Sequence, residues 1–271
     1  MFIILTGSSG VGKNTVITEI EKRNEKFKLM PTYTTREKRP TEVEGYPFYY
    51  ISKDEFQNKI KEGELIEHEF IHGNYYGSSY KILNDHLNGD YVLIKDLGIE
   101  GAQNLTTKIS HLTPVKKIFL TTTKKELKRR LKGRGEKQIK LRLKRYDREQ
   151  GEINKFDYII VNNDLDKTCE EIRVIYNKEL TDILPTKRVE KISLRKINRY
   201  VSLLRRSKIL KPVEVTISDE KIYIVKGHEK FIAGILTDKL VAKKLVDKDI
   251  KLLDEADYQK WQDLINQSLE D

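Results

Sequence analysis

The feature that most constrains this chain is a glycine-rich loop close to its N-terminus. The apolar run Phe2–Leu5 comes directly before the loop, and Thr15–Arg23, which has helical periodicity, follows it. The loop residues that we expect to bind nucleotide phosphates are Gly7, Ser9, Gly10, Val11, Gly12, Lys13, Asn14 and Thr15. A Gly-x4-Gly-Lys spacing between a strand and a helix lets backbone N–H groups surround phosphate oxygens. The sequence therefore predicts a nucleotide site, with Lys13 reaching the β- and γ-phosphates.

The end of this loop departs from the usual motif. Asn14 stands where a Ser or Thr normally follows the lysine, and Thr15 is the next residue. A hydroxyl at this place usually assists Mg²⁺, so Thr15 is our candidate metal contact. The sequence leaves open which hydroxyl takes that role.

The order of apolar runs indicates the fold class. Four short β-rich runs with little alternation are Phe2–Leu5, Tyr91–Ile94, Lys117–Leu120 and Tyr158–Val161. Such runs are typical of parallel strands buried on both faces, and helical segments separate them, which predicts a doubly wound α/β domain. Residues 32–83 interrupt the alternation and are predicted to form an inserted subdomain, whereas the charged segment 126–148 is predicted to be helical.

A second, smaller domain is predicted after Leu184. The segment Leu184–Thr186 contains a proline, and the pattern changes beyond it to a basic amphipathic stretch, Lys191–Leu210, and a hairpin, Val213–Val225. We therefore expect a domain over residues 1–184 and a small basic α+β domain over residues 185–271.

Composition limits the cellular compartment and the kinds of partner that we expect for this protein. The net charge of +10 favours anionic partners without choosing among them, and no stretch is apolar enough to cross a membrane. The single cysteine, Cys169, cannot form an internal disulfide. We expect a cytoplasmic protein that binds small-molecule nucleotides and no membrane; the oligomeric state stays open.

A second constellation lies in the inserted segment. Arg36 and Arg39 are three residues apart, a spacing that allows both guanidinium groups to bind one phosphate. The carboxylate of Glu67 can accept two hydrogen bonds from an N1–H/N2–H₂ edge, which only guanine presents. Tyrosine hydroxyls near Tyr76 can complete a phosphate site.

With these motifs, residues from Met1 to about Leu184 resemble the guanylate kinase family. The resemblance is carried by the glycine-rich loop, Thr34-Thr35-Arg36-x-x-Arg39, Glu67 nine residues before Tyr76, Tyr75-Tyr76-Gly77-Ser78, Arg134-Gly135, Arg142-Leu143, and Phe156-Asp157-Tyr158. It implies a P-loop nucleoside monophosphate kinase fold with an inserted acceptor subdomain and a lid over residues 126–148.

The resemblance also implies a role for each matching residue. Thr32, Glu67 and Ser78 would hold guanine, and Arg36, Arg39 and Tyr76 would hold the GMP phosphate. Lys13, Arg134 and Arg142 would act on the transferred phosphoryl group. Asp96 would orient Mg²⁺ through water.

Three departures from the family pattern bear on the acceptor. Phe48 replaces the usual tyrosine, and Tyr50 on the same strand face is predicted to compensate in part. Gly98 replaces a second acid after Asp96, and this acid faces the base. The lid between Arg134 and Arg142 is also about three residues shorter than usual.

The C-terminal segment is similar to the ParB/sulfiredoxin-like superfamily. The similarity lies in Val189–Ile192, the strand Pro212–Ile217 and the segment Ile222–Lys230. It implies a phosphate contact at a helix start, with Gly227 and Lys230 as candidates; Lys230 replaces an arginine. The basic stretch 195–211 is either a nucleic-acid contact or an amphipathic helix docked on the domain.

These observations favour ATP-dependent phosphoryl transfer to GMP or dGMP, with ATP as donor and Mg²⁺ as cofactor. Two alternatives remain, a nucleotide kinase with an altered or modified acceptor base, and a ParB-like nucleic-acid-associated regulator with a kinase-like nucleotide-binding domain. An inactive interaction module is a further possibility, but it would not need Lys13 and two lid arginines.

Overall fold

A computed structural model describes residues 1–40, 42–71, 73–87, 89, 91–178, 182–237 and 239–270. The chain forms two compact units, Met1–Lys117 and Ile118–Asp271. The division of the chain near Leu184 is a boundary of sequence pattern and stays a prediction.

The first unit alternates strands and helices around the glycine-rich loop. Its elements are β1 (Phe2–Thr6), α1 (Lys13–Arg23), β2 (Phe27–Leu29), β3 (Thr32–Thr34), β4 (Val43–Glu44), β5 (Pro47–Tyr50), α2 (Lys53–Lys61), β6 (Leu65–Ile71), β7 (Asn74–Ser79), α3 (Tyr80–Leu87), β8 (Val92–Asp96) and α4 (Ile99–Ile109).

A parallel sheet forms the base of this unit. Strand β8 pairs in parallel with both β1 and β2, and every residue of β1 is buried. The register places Leu5 beside Asp96, so the glycine-rich loop begins at the carboxyl ends of the strands. The predicted parallel α/β architecture is confirmed, because apolar residues cover both faces of β1.

The interrupting segment builds a separate mixed sheet in the order β4-β5-β3-β7-β6. Strands β4, β5 and β3 pair in parallel, whereas β7 is antiparallel to β3 and to β6. The helix α2 between β5 and β6 begins with a capping box, in which Ser52 and Glu55 satisfy each other's backbone N–H groups. This sheet carries most of the residues predicted to bind the acceptor.

The chain enters the second unit along β9 (Val115–Thr121). The further elements are α5 (Lys124–Gly133), α6 (Ile139–Gln150), β10 (Tyr158–Val161), α7 (Leu165–Tyr176), β11 (Ile183–Leu184), α8 (Leu194–Arg205), β12 (Val213–Ser218), β13 (Lys221–Lys226), α9 (His228–Thr237), β14 (Lys243–Leu245) and α10 (Glu255–Glu270).

Strands that follow Leu184 continue the sheet of this unit. The order is β11-β13-β12-β14-β10-β9, and β14 pairs in parallel with both β10 and β12. The predicted hairpin is present as β12 and β13. Its turn residues Asp219 and Glu220 have φ of 48° and 59°, which suits the twist of a two-residue hairpin.

Helix α8 accounts for the basic amphipathic stretch. Its apolar side chains Ile197 and Leu204 are buried, and Ile197 packs in a cluster with Ile232 and Trp261. The indole of Trp261 donates a hydrogen bond to Lys187 O at 2.7 Å. The helix is therefore docked through its apolar face. Within the described part of the chain, we find no helix with both the length and the apolar character needed to cross a bilayer.

Candidate active site

The glycine-rich loop has the backbone conformation that a phosphate site requires. Gly10 and Gly12 have φ of 96° and 101°, values that favour glycine. Gly12 is the N-cap of α1, where no side chain caps the helix and no acidic residue lies in the first turn. The first N–H groups of α1 thus remain available to an anion, and the positive end of the helix dipole favours it.

Lys13 lies between the loop and β8. Its ammonium group donates to Gly7 O at 2.6 Å and lies 3.6 Å from the Asp96 carboxylate. Burial raises the pKa of Asp96, and Lys13 opposes this shift by stabilising the charged form. The structure therefore brings the predicted phosphate-binding lysine and the predicted metal-orienting carboxylate together.

An anion-binding cluster lies on the inserted sheet. Arg36 donates through Nη2 to both carboxylate oxygens of Glu42, at 2.8 and 2.9 Å. The hydroxyl of Tyr50 and the backbone N–H of Arg39 donate to Oε2 of the same carboxylate, at 2.8 and 2.9 Å. The hydrogen bond from Arg36 is the main cause that lowers the pKa of Glu42 to about 2. The carboxylate therefore receives donors that suit a phosphate.

Aromatic rings hold the Arg36 guanidinium in place. Its central carbon lies 5.2 Å from the ring centre of Phe48 and 5.6 Å from that of Tyr50. Phe48 in turn contacts Tyr76 edge-on, with ring centres 6.0 Å apart. Phe48 therefore keeps the packing role of an aromatic ring, and the hydroxyl of Tyr50 reaches the same anion cluster. The side chain of Arg39 is exposed.

The predicted base-binding pair is buried on the antiparallel strands. Glu67 on β6 lies opposite Ser78 on β7, and the Ser78 hydroxyl donates to the Glu67 carboxylate. Both side chains are buried. Gly77 permits this packing, because a Cβ there would lie 2.9 Å from Phe56 Cζ and 3.1 Å from Glu67 O. A carboxylate can accept about four hydrogen bonds, so the bond from Ser78 leaves acceptor capacity on Glu67.

A buried lysine contacts Thr32, the third residue predicted to bind the base. Lys95 on β8 is 1% exposed and donates to Thr32 Oγ1 at 2.5 Å. Burial lowers the pKa of Lys95 to about 8, although Glu67 and Asp96 oppose that shift. Thr32 and Lys95 line a cavity of about 260 Å³ together with Phe48, Asp96 and other side chains.

In the second unit, the two predicted lid arginines share one carboxylate. Arg142 Nε lies 3.3 Å from Glu136 Oε2, and Arg134 Nη2 lies 3.8 Å from the same oxygen. The pKa of Glu136 is lowered, first by a backbone hydrogen bond from Gln138 and also by these arginines. Arg134 follows the last residue of α5, and Arg142 lies in the first turn of α6.

The C-terminal candidates lie at the start of α9. Gly227 has φ of 97° and lines a cavity of about 770 Å³ with Lys187, Arg188, Lys191 and further charged residues. Lys230 directs its ammonium group toward Lys211 O at 3.4 Å, and burial lowers its pKa. The assignment of a phosphate contact to Gly227 and Lys230 stays a prediction.

Two residues had no assigned role in the sequence analysis, although the structure gives them central positions. Glu42 follows Arg39 by three residues, but no sequence pattern reveals that its carboxylate accepts hydrogen bonds from both Arg36 and Tyr50. Lys95 precedes Asp96 on a strand that is otherwise apolar, and a charged residue within such a run is the signal that identifies it.

Comparisons with known proteins find relatives of this chain. The sequence model of the family described as "Guanylate kinase" matches residues 1–179. The guanylate kinase of Prochlorococcus marinus subsp. pastoris (strain CCMP1986 / NIES-2087 / MED4) is 34% identical over 173 residues, which is 63% of this chain and 93% of that protein. The guanylate kinase of Syntrophus aciditrophicus (strain SB) is 34% identical over 181 residues, 66% of this chain and 86% of that protein.

A solved structure is also similar. The crystal structure of guanylate kinase from Anaplasma phagocytophilum superposes with a TM-score of 0.51 at 28% sequence identity, covering 65% of this chain and 84% of that chain. The family match, the phosphate loop and the buried Glu67–Ser78 pair lead to one conclusion. This chain belongs to the guanylate kinase family of nucleoside monophosphate kinases.

Proposed function

We propose that residues 1–184 catalyse transfer of the γ-phosphoryl group of ATP to GMP or dGMP, giving ADP and GDP or dGDP. The observation that carries the proposal is the buried Glu67 carboxylate, held by Ser78 on the same sheet as an anion-binding cluster. A guanine base requires such a carboxylate, and a nucleotide phosphate requires such a cluster.

The acceptor phosphate would take the place of the Glu42 carboxylate among its donors. Arg36 is already oriented by the Phe48 and Tyr50 rings, and a dianionic phosphate competes well with a carboxylate for a guanidinium. Glu42 then acts as an internal anion that keeps Arg36 and Tyr50 in position between turnovers. Arg39, whose side chain is exposed, would add a second guanidinium.

The donor phosphates would bind the loop that begins α1. The available N–H groups and Lys13 would hold their oxygens, and Lys13 remains anchored by Gly7 O. The residues present fit Mg²⁺, because Asp96 supplies a partly exposed carboxylate and Thr15 an exposed hydroxyl close to the loop. Mg²⁺ typically keeps several waters and binds one or two carboxylates plus phosphate oxygens. When bound, it neutralises charge on the phosphate oxygens.

The chemical step requires placement and positive charge. An anionic oxygen of the acceptor phosphate attacks the γ-phosphorus of ATP in line, a new P–O bond forms, and the bond to ADP breaks. No general base is needed, because the attacking oxygen is already ionised. We assign Lys13, Arg134 and Arg142 to the charge that spreads over the transferred group, and Glu136 to positioning the two arginines.

The proposal is tested by a coupled assay of ADP release with ATP and GMP, dGMP, AMP, UMP or CMP as acceptor. GMP and dGMP should be phosphorylated, and Lys13→Ala should lower the rate about 10²–10³-fold. Absence of activity with every acceptor would overturn the proposal. A preference for another base would overturn its guanine part and direct attention to Gly98, where the family usually has an acid.

A second proposal concerns the C-terminal segment, for which we propose contact with nucleic acid. The supporting observation is that α8 is docked through its apolar side, whereas Arg195, Arg199, Arg205 and Arg206 are exposed. An exposed basic face of this kind attracts a polyanion through counterion release. The chain as a whole would then combine a kinase with a DNA- or RNA-binding segment.

Charge removal tests this second proposal better than truncation, because strands after Leu184 belong to the sheet of the second unit. Changing the four exposed arginines to glutamine should weaken binding to a random-sequence DNA duplex at low salt. If all four contact phosphates, the slope of log K against log salt should fall by about 3 to 4.

The matched control changes four exposed lysines of the first unit, Lys22, Lys53, Lys61 and Lys81, to glutamine. This variant loses the same charge and should bind DNA as the wild type does. Equal losses in both variants, or no loss in the arginine variant, would overturn a specific role for α8.

A further inference from the structure

Lys95 occupies an unusual place for a lysine. It lies in the central strand β8, opposite Ile4 of β1, and only 1% of its surface is exposed. Burial of an ammonium group costs several kcal/mol unless it is paired and hydrogen-bonded. A lysine at this position therefore calls for a reason beyond packing, and its surroundings indicate one.

The hydrogen bonds around Lys95 leave donors for a ligand. Within the described residues, the hydrogen bond of its ammonium group goes to Thr32 Oγ1 at 2.5 Å. An ammonium group has three N–H donors, so two remain. Because the Thr32 oxygen accepts from Lys95, its own O–H is directed away from the lysine. The cavity of about 260 Å³ that both residues line is thus supplied with hydrogen-bond donors.

The neighbouring carboxylate presents the complementary chemistry. Glu67 lies close enough to act electrostatically on Lys95, and it accepts the hydrogen bond from Ser78. Strand β7, which carries Ser78, pairs with β6, which carries Glu67, and with β3, which carries Thr32, so the Glu67 acceptor and the Thr32 donor belong to the two strands that flank β7. A ligand edge that matches them carries N–H donors for Glu67 next to an oxygen acceptor for Lys95 and Thr32.

We propose that Lys95 is a specificity-determining residue of the acceptor site, which with Thr32 requires an oxygen at the 6-position of the purine. The inference rests on the proposed function and deepens it. In a 6-oxopurine, O6 is adjacent to N1–H, so O6 faces the donors while N1–H faces Glu67. In adenine the donor and the acceptor are exchanged. Its 6-amino group, a donor, would face the donors of Lys95 and Thr32, and its N1, an acceptor, would face the Glu67 carboxylate.

This assignment separates the two halves of base recognition. Glu67 selects the N–H groups at positions 1 and 2, whereas Lys95 selects the oxygen at position 6. The selection of the 6-oxo group by Lys95 does not depend on the acidic side chain that the family usually has at the position of Gly98. A site built to hydrogen-bond a substrate group strongly rejects the analogue that cannot form the bond.

The test compares kcat/KM for GMP and for two analogues that each differ from GMP at one position. GMP is the reference, 6-thio-GMP replaces O6 with the weak acceptor sulfur, and IMP lacks only the 2-amino group. In the wild type, GMP should exceed 6-thio-GMP by about tenfold to a hundredfold, since a hydrogen bond to a charged group contributes about 1.5–3 kcal/mol. Lys95→Met should reduce that ratio at least threefold and leave the ratio of GMP to IMP unchanged.

Controls make the outcomes distinct. Lys22→Met, on the exposed side of α1, should keep both ratios. If Lys95→Met does not fold, as judged by circular dichroism, Thr32→Val is used instead. It removes the hydroxyl at nearly constant volume and should also lower the ratio of kcat/KM for GMP to that for 6-thio-GMP.

Three results would decide the matter. No phosphorylation of any acceptor by the wild type would overturn the proposed function itself. Normal GMP phosphorylation, with an unchanged ratio of GMP to 6-thio-GMP in the folded variant, would overturn the role of Lys95 alone. An equal loss with all three acceptors would show a structural role and would also overturn it.

Discussion

The glycine-rich loop and the inserted sheet β4-β5-β3-β7-β6, which we call the acceptor sheet, supply their proposed binding groups by different means. The loop uses mainly backbone N–H groups of consecutive residues, held by Gly10 and Gly12, and adds Lys13. The acceptor sheet uses side chains from separate strands, such as Glu67, which meets Ser78 across eleven residues of sequence. A backbone site recognises phosphate on any nucleotide. A side-chain site distinguishes one base from another, and it depends on packing.

The largest expected effect concerns the loop. Lys13→Ala removes the one side-chain charge that the loop itself supplies, and kcat should fall about 10²–10³-fold, as is typical for loss of one group that stabilises a transition state. The loss should be the same for GMP and dGMP in the coupled assay, because the role we propose for Lys13 is on the phosphates. A loss that depends on the acceptor would contradict the division between loop and sheet.

The next effect concerns packing of the acceptor sheet. Gly77→Ala places a Cβ 2.9 Å from Phe56 Cζ and 3.1 Å from Glu67 O, so the free energy of unfolding should fall by about 1–3 kcal/mol. Urea denaturation measures the change. Gly133→Ala, whose Cβ would meet no atom within 4 Å, is the matched control and should stay within about 0.5 kcal/mol of the wild type. Equal stabilities of the two variants would contradict close packing at Gly77.

A smaller effect should follow from the shape of the Arg36 side chain. Arg36→Lys keeps the charge but loses the guanidinium that contacts both oxygens of Glu42 and lies near the Phe48 and Tyr50 rings. We expect the KM for GMP to rise about tenfold, with little change in the KM for ATP. Steady-state kinetics with each substrate varied in turn measures both constants, and equal increases would argue against a role confined to the acceptor.

The smallest effect is a pH dependence of stability. The pKa of Glu42 is about 2 in the folded protein against 4.5 in the unfolded chain, so its contribution to stability is complete above pH 4.5 and is lost as the pH falls toward 2. Between pH 5 and pH 2.5, the free energy of unfolding should therefore decrease less in Glu42→Gln than in the wild type. Urea denaturation at each pH measures this decrease. In an Arg36→Met background, Glu42→Gln should have little further effect. If the free energy of unfolding falls equally with pH in the wild type and in Glu42→Gln, the ion pair between Glu42 and Arg36 would be contradicted.

The contrast between loop and sheet also explains what sequence could predict. The loop is local, so spacing alone predicts its residues, its preceding strand and its following helix. The sequence predicts the parallel strands because β1 and residues 92–94 of β8 are apolar on both faces. For Glu67, Ser78 and Arg36, the family resemblance supplied the grouping that local patterns lack.

Other contacts had no local signal. The bond from Lys95 to Thr32 joins residues 63 apart, and the pairing of β14 with β10 joins segments that the sequence pattern separates. Both depend on tertiary packing, which places residues together after distant strands have paired. The convergence of Arg134 and Arg142 on Glu136 likewise depends on how α5 and α6 are joined.

The central claim is that side chains of the acceptor sheet select a guanine nucleotide while the loop supplies the phosphoryl-transfer site. It is tested most directly by kcat/KM for GMP and AMP in the wild type and in Glu67→Gln. We predict that the wild type prefers GMP by at least about a hundredfold, because AMP would leave buried polar groups unpaired. We also predict that Glu67→Gln reduces this preference at least tenfold. A wild-type protein that phosphorylates AMP as well as GMP, or a preference that Glu67→Gln leaves intact, would contradict the account.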